Sequence, residues 1–200
     1  NTPLESAPLG FPTCPEDLLI DEQGQPQRID KAYSWDAPIA AHGLMHMVIS
    51  NAVAGDPYPI DTLMLFMANM AWNSSMNTSE TMDMLRAKDA EGNYKIPFIV
   101  TCDAFNSETV AFSDLVLPDT TYLERYDTIS MLDRPISEPD AACDAVRIPV
   151  VDANRDVLSW QEVMVEVAGR LKLPAFTNAE GQPKYENYKD FIINFERAPG

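Results

Sequence analysis

The chain has 200 residues, 46% of them hydrophobic, with 31 acidic against 14 basic side chains and a formal net charge of −17 at pH 7. That length carries one domain with a real core, or one large domain with a loose extension. So acidic a composition argues against gripping a nucleic-acid backbone, which takes Lys and Arg to neutralise phosphates. A phosphorylated ligand is compatible only where backbone N–H groups and helix amino termini supply a local positive field.

No run approaches the roughly 18 consecutive apolar residues of a membrane span, so no direct membrane insertion is expected. The opening NTPLESAPLGFPTCPEDL has neither a basic region nor an apolar stretch, so no export signal is expected in it. The expected location is cytoplasmic, with the periplasm as the alternative. Cys14, Cys102 and Cys143 are widely spaced and form no C-x-x-C. That spacing fits neither an iron–sulfur or zinc site nor a disulfide framework, and Cys102 is expected as a buried thiol at a strand end.

In chain order, residues 1–35 are rich in proline and lack periodicity, and are expected as an irregular arm or linker. Residues 36–175 are expected to form an α/β domain of three layers around a mostly parallel sheet, Rossmann-like in plan, and 176–200 a C-terminal extension. Asp36 and Pro38 suit the cap and first turn of a helix carrying Ile39, Leu44, Met45 and Val48 and ending before Gly55. Leu63 to Met67 is apolar at every position, which suits a central parallel strand. Asn77 and Glu80 have capping-box spacing before a helix running to about Lys88 and presenting Met82, Met84 and Leu85 to the sheet.

Asp89 to Lys95 is a polar turn, and Ile96, Phe98, Ile99 and Val100 make the next strand, reached by a right-handed crossover. Asn106 is the expected cap of a short helix through Phe112, followed by the strand Leu115 to Leu117, which Pro118 stops. From Asp119 to about Ala145 no period is sustained, and a loop that long is uncommon unless functional. Val146 to Val151 suits a strand, Ser159 and Glu162 a capping box opening a helix through Leu173. Tyr185, Tyr188, Phe191 and Phe195 follow at roughly helical spacing.

Asn69 and Asp103 are the leading ligand candidates, because each stands where an apolar strand ends, and parallel sheets hold ligands beyond those ends. A carboxylate accepts two hydrogen bonds from a ribose diol or from the N1–H and N2–H2 edge of guanine, and an amide both donates and accepts. Asn73, Ser74 and Ser75, with a helix amino terminus behind them, can receive a pyrophosphate. The competing reading, equally open at this point, makes Asn69 and Asp103 caps of strand ends. Asp114 and Asp119 invite comparison with a glycosidase pair, but local turn bonding explains them as well. His42 and His46 are four apart without the Glu of H-E-x-x-H, and the methionines read as adaptable packing. No G-x-G-x-x-G, P-loop or G-x-S-x-G is present.

Two stretches carry a family resemblance. LMLFMANMAWNSS (63–75) resembles an apolar strand followed by Gly-x-Asn-Pro, with Met70 in place of Pro. VTCDAFNSETVAFSDLVLPDTTYLER (100–125) is similar to Asp-x-Phe-x-Thr-Glu-Thr-Ala followed by Ala-Asp-Val-Val-Leu-Pro, with Ser107 for Thr and Ser113 for Ala. Both patterns belong to the catalytic subunits of molybdopterin oxidoreductases, the dimethyl sulfoxide reductase and formate dehydrogenase superfamily. MLDRPISEPDAACDAVRIPVV (131–151) is similar to the members that act on sulfur oxyanions, sulfite-oxidising subunits first and thiosulfate- or polysulfide-reducing ones beside them.

The resemblance spans residues 34–175 and implies an internal fragment of a larger oxidoreductase. It implies a bis-molybdopterin guanine dinucleotide cofactor with molybdenum, and a [4Fe–4S] cluster in a region outside this chain. Asn69 and Asp103 would contact the guanosine diphosphate portion of one such cofactor, and Ser107, Glu108, Thr109 and Asp114 would shape that wall; Asn73 and Ser74 join them as cofactor-binding candidates from the loop reading above. No catalytic residue and no metal ligand is assigned to this stretch. The implied partners are the remaining domains of the same polypeptide, a membrane anchor, and an iron–sulfur electron-transfer subunit. The isolated stretch is expected to be inactive and to hold no cofactor alone. A free-standing nucleotide- or small-ligand-binding domain, or a non-enzymatic interaction domain, is the alternative.

Overall fold

The computed structural model describes residues 28–31, 44–73, 76–128 and 146–195. They belong to two compact units that divide between Val116 and Leu117. The division falls inside the 36–175 span, and residues 176–195 go with the second unit. The expected arm up to residue 27, the Asp36 cap and Pro38 lie outside the described residues.

The first unit opens with a 3-10 turn at Met45–Met47 that leads into helix α1, Val48–Ala54. Gly55 ends α1 at φ 71°, its N–H returning to the carbonyls of Asn51 and Ala52. A left-handed residue at a helix end favours glycine, which has no Cβ to clash. Buried Asn51 donates its Nδ2 to the carbonyl of Ile29 at 2.7 Å and so ties residues 28–31 to α1.

Strand β1, Thr62–Phe66, pairs in parallel with β2, Phe98–Asp103, in the register Leu63 to Ile99 and Leu65 to Thr101. Strand β3, Leu115–Pro118, lies on the far side of β2. The α/β class and the parallel sheet are therefore as the sequence implies. Alternate strand residues share a face. Leu63, Leu65 and Ile99 meet Ile49 and Ala52 of α1 in one core. The position of β1 departs from the expectation of a central strand apolar on both sides. Among the described residues it is an edge strand, and Met64 on its other face is 43% exposed. Cys102 is fully buried.

Helix α2, Thr78–Met84, starts where the Asn77–Glu80 pair places it, the Asn77 side chain accepting the Glu80 N–H. It stops short of Lys88, because Arg86 and Ala87 donate to carbonyls three residues back and wind the chain down. Leu85 is buried, with Met82 and Met84 packed against the same core. The polar turn that follows is held by Asp89, whose carboxylate accepts the N–H groups of Glu91 and Asn93.

In the second unit, β4 (Asp127–Thr128) and β5 (Val146–Arg147) form a short antiparallel ladder, so only two of the six residues expected as a strand from Val146 are one. Helix α3, Trp160–Arg170, is capped by Ser159, which accepts the Glu162 N–H at 3.2 Å. Helix α4, Tyr188–Asn194, is capped by Asn187. The ring of Phe191 on α4 meets Phe176, Tyr185, Tyr188 and Phe195, with centroids 5.1 to 6.0 Å away. The loop after β3 holds a buried pair, Arg125 Nη1 to Asp119 Oδ2 at 2.9 Å. Asp119 Oδ1 also accepts the Trp160 N–H at 3.1 Å, at the amino end of α3. No helix among the described residues is long and apolar enough to cross a membrane.

Candidate functional site

The crevice forms where β1 and β2 end side by side in parallel. Met67 follows β1 in a left-handed conformation, φ 47°, with its N–H on the carbonyl of Cys102. The chain then turns tightly, Trp72 and Asn73 donating their N–H groups to the carbonyl of Asn69. After β2, Asp103 Oδ1 accepts the Phe105 N–H at 2.9 Å and its Oδ2 accepts the Ser107 hydroxyl at 3.1 Å. These two turns enclose a cavity of about 430 Å³ lined by Asn69, Asn73, Asp103, Phe105 and Ser107 together with Met45, Met67 and Met70.

Asn69 joins the two turns. Its Oδ1 accepts the hydroxyl and the N–H of Thr109, at 2.7 and 3.2 Å, and its Nδ2 donates to Glu108 Oε2 at 2.5 Å. Thr109, fully buried, passes the connection back by accepting the Ala71 N–H on its hydroxyl at 2.9 Å. The bond from Asn69, then its own backbone N–H, holds the Glu108 carboxyl below the ordinary value of 4.5. Each bond favours the charged form of the acid. The amide of Asn69 therefore spans the crevice floor, and Thr109 lies beneath it.

Of the eight residues singled out in the sequence, Asn69, Asn73, Asp103 and Ser107 line this cavity, while Glu108 and Thr109 brace it. Ser74 lies outside the described residues. Asp114 is elsewhere: its Oδ2 accepts the Ile99 N–H at 2.8 Å and its own N–H returns to the Ile99 carbonyl. Those bonds start β3 beside the amino-terminal half of β2, away from Asp103. The expected cap Asn106 is replaced as well. Ser107 holds the capping position of the 3-10 turn Glu108–Phe112, without a side-chain cap bond, because its hydroxyl goes to Asp103.

The described lining contains no Lys or Arg. The amino end of α2 does not replace them, since Asn77 takes the Glu80 N–H and the Glu80 carboxylate stands beside it, 2.5 Å from Asn77 Nδ2. A carboxylate there repels an anion. The donor and acceptor set accordingly suits the base and ribose of a nucleotide better than its phosphates. Asp103 supplies acceptor oxygens, Asn73 and Ser107 smaller polar groups, and the methionines an adaptable apolar wall. Phe105, 70% exposed on this rim, was not singled out from the sequence. Its signal there is an aromatic residue inside a polar loop, two positions past a strand-end carboxylate.

A family model described as molybdopterin oxidoreductase matches residues 49–164. The chain is 64% identical over its whole length to a sulfite dehydrogenase subunit of Allochromatium vinosum, of which it spans 21%. It is 31% identical over 105 residues to the molybdopterin-containing subunit of thiosulfate reductase from Salmonella typhimurium, covering 52% of this chain and 13% of that protein. A tetrathionate reductase subunit of the same organism is 29% identical over 140 residues, covering 67% of this chain and 13% of that protein.

Proposed function

The chain belongs to the molybdopterin oxidoreductase family, and from that premise we propose that it forms one wall of the cofactor site in a molybdenum enzyme acting on a sulfur oxyanion, sulfite first. The observation that carries the site is Asp103, a strand-end carboxylate lining the cavity with its orientation set by Phe105 N–H and the Ser107 hydroxyl. An ionised carboxylate has roughly four lone-pair positions. The two donors already present leave room for the N1–H and N2–H2 groups of a guanine. In this reading the cofactor is the guanine dinucleotide form, and this wall holds its base and ribose.

When bound, the cofactor supplies oxygen-atom and two-electron exchange, sulfite and water giving sulfate, two protons and two electrons. The residues of this chain orient it. Asp103 fixes the base edge, Asn73 and Ser107 reach the ribose side, and the Asn69–Glu108–Thr109 brace sets how far apart the two turns stand. The diphosphate is met by other parts of the polypeptide, since the described lining here carries no cation. A [4Fe–4S] cluster held outside this chain would supply the path for the electrons, with an iron–sulfur subunit and a membrane anchor as the proposed partners. The 64% identity to a sulfite dehydrogenase subunit supports sulfite over the other sulfur oxyanions.

The test is to purify the intact enzyme containing this chain and measure three things together: molybdenum content, the nucleotide released by acid, and reduction of an artificial electron acceptor with sulfite or thiosulfate. Guanine nucleotide accompanying molybdenum, with sulfite the better reductant, is expected. An enzyme that holds molybdenum but releases no guanine nucleotide would contradict the base-site assignment.

A further inference from the structure

We propose that Phe105 is the platform on which the purine of the dinucleotide stacks while Asp103 holds its edge, an inference that rests on the base-site reading above. Phe105 is 70% exposed yet borders the same cavity as Asp103. Its backbone N–H donates to Asp103 Oδ1 at 2.9 Å, so the carboxylate and the ring are two ends of one small turn. Ser107 pins the other carboxylate oxygen at 3.1 Å, which fixes the direction from which a base edge must arrive. An aromatic ring left this open beside a fixed acceptor pair offers the two contacts a purine can make at once, one with its face and one with its edge.

The two contacts divide the work. Stacking tolerates any base, because every base has a π-face. Edge recognition does not: guanine presents two donors to a carboxylate, whereas adenine places an acceptor nitrogen beside its amino group. Phe105 therefore adds affinity for any base, while Asp103 adds affinity and also sets which base it is. The thioethers of Met67 and Met70 complete the apolar part of the lining, where a flexible, polarisable side chain adapts to a ring.

The experiment uses the intact enzyme with Phe105→Ala, Phe105→Leu, Phe105→Tyr and Phe105→Trp, following guanine nucleotide released over time in mild urea and the fluorescence of the Phe105→Trp variant with and without cofactor. Expected are a roughly ten-fold faster release for Ala and Leu, near-normal release for Tyr and Trp, and quenching of the added indole emission by bound cofactor. Leu retaining the nucleotide as well as Tyr overturns the proposal, because a ring that only fills space against another part of the polypeptide is replaced by any apolar side chain. An indole left unquenched in the loaded Phe105→Trp enzyme overturns it as well. Wild-type enzyme without guanine nucleotide removes the base site itself. Nucleotide present in wild type and unaffected by Phe105→Ala removes only the stacking.

Discussion

Asn69 donates to a carboxylate and accepts from two donors of Thr109, a combination that only an amide of its length offers at this point. Asn69→Asp keeps the acceptor but sets a second carboxylate against Glu108. The variant is expected to lose stability and unfold at a lower denaturant concentration than wild type, because like charges then face each other. Adding Glu108→Gln restores a donor facing the new acid, so the double variant should recover most of that loss in a denaturant titration. Strictly additive losses would mean that the two side chains do not act together. A second acid gives a pH reading. Bonds from Arg155, then the Thr121 N–H, lower the Glu124 carboxyl from 4.5 to about 2. A depressed folded value means that the contribution is complete above the ordinary value and is lost as pH falls from 4.5 towards 2. Carboxyl resonances of Glu124 followed by NMR should titrate in that low range in wild type and return towards the ordinary value in Arg155→Ala. An unchanged midpoint in the variant would deny the Arg155 bond its part.

At the scale of elements, Asp119 pairs with buried Arg125 and, through the bond it accepts from the Trp160 N–H, ties the loop after β3 to the start of α3. Removing one member of a buried pair leaves an uncompensated charge, and Asp119→Ala should cost about 3–5 kcal/mol. The measurement is the shift in the denaturation midpoint of the second unit, and a shift below about 1 kcal/mol would show that solvent reaches Arg125. Leu65→Ala removes a core side chain between α1 and the sheet and should cost about 2–5 kcal/mol, read from the denaturation midpoint of the first unit.

Capping residues made much of this legible in advance. Asn77 with Glu80, Ser159 with Glu162, and Gly55 each mark an element end through a local bond that needs no tertiary context. Non-local bonds were not legible. Asn106 reads as a cap in sequence, but the hydroxyl of Ser107 is drawn to Asp103 and the turn begins there. Asp114 reads as a neighbour of the crevice, but the short return through Glu108–Phe112 carries it back beside Ile99. The exposed face of β1 was hidden for a related reason: an apolar run looks the same whether a second layer covers it or not.

Over the whole molecule, a net charge of −17 has to be squared with the proposed site for an anionic dinucleotide. In the proposed reading the crevice offers acceptors and an apolar wall to the uncharged end of the ligand, and the diphosphate is left to other parts of the polypeptide. That division accounts for a stretch covering 21% of a sulfite dehydrogenase subunit with a defined crevice but no described cation in it. The most direct measurement is guanine nucleotide per molybdenum in the intact enzyme carrying Asp103→Ala, with Asp103→Asn beside it. Losing hydrogen bonds to a charged acceptor is worth about 1.5–3 kcal/mol each, so occupancy under limiting cofactor should fall about ten-fold or more in both variants while the preference for sulfite over thiosulfate is unchanged. Normal guanine content in a folded Asp103→Ala enzyme would contradict the account.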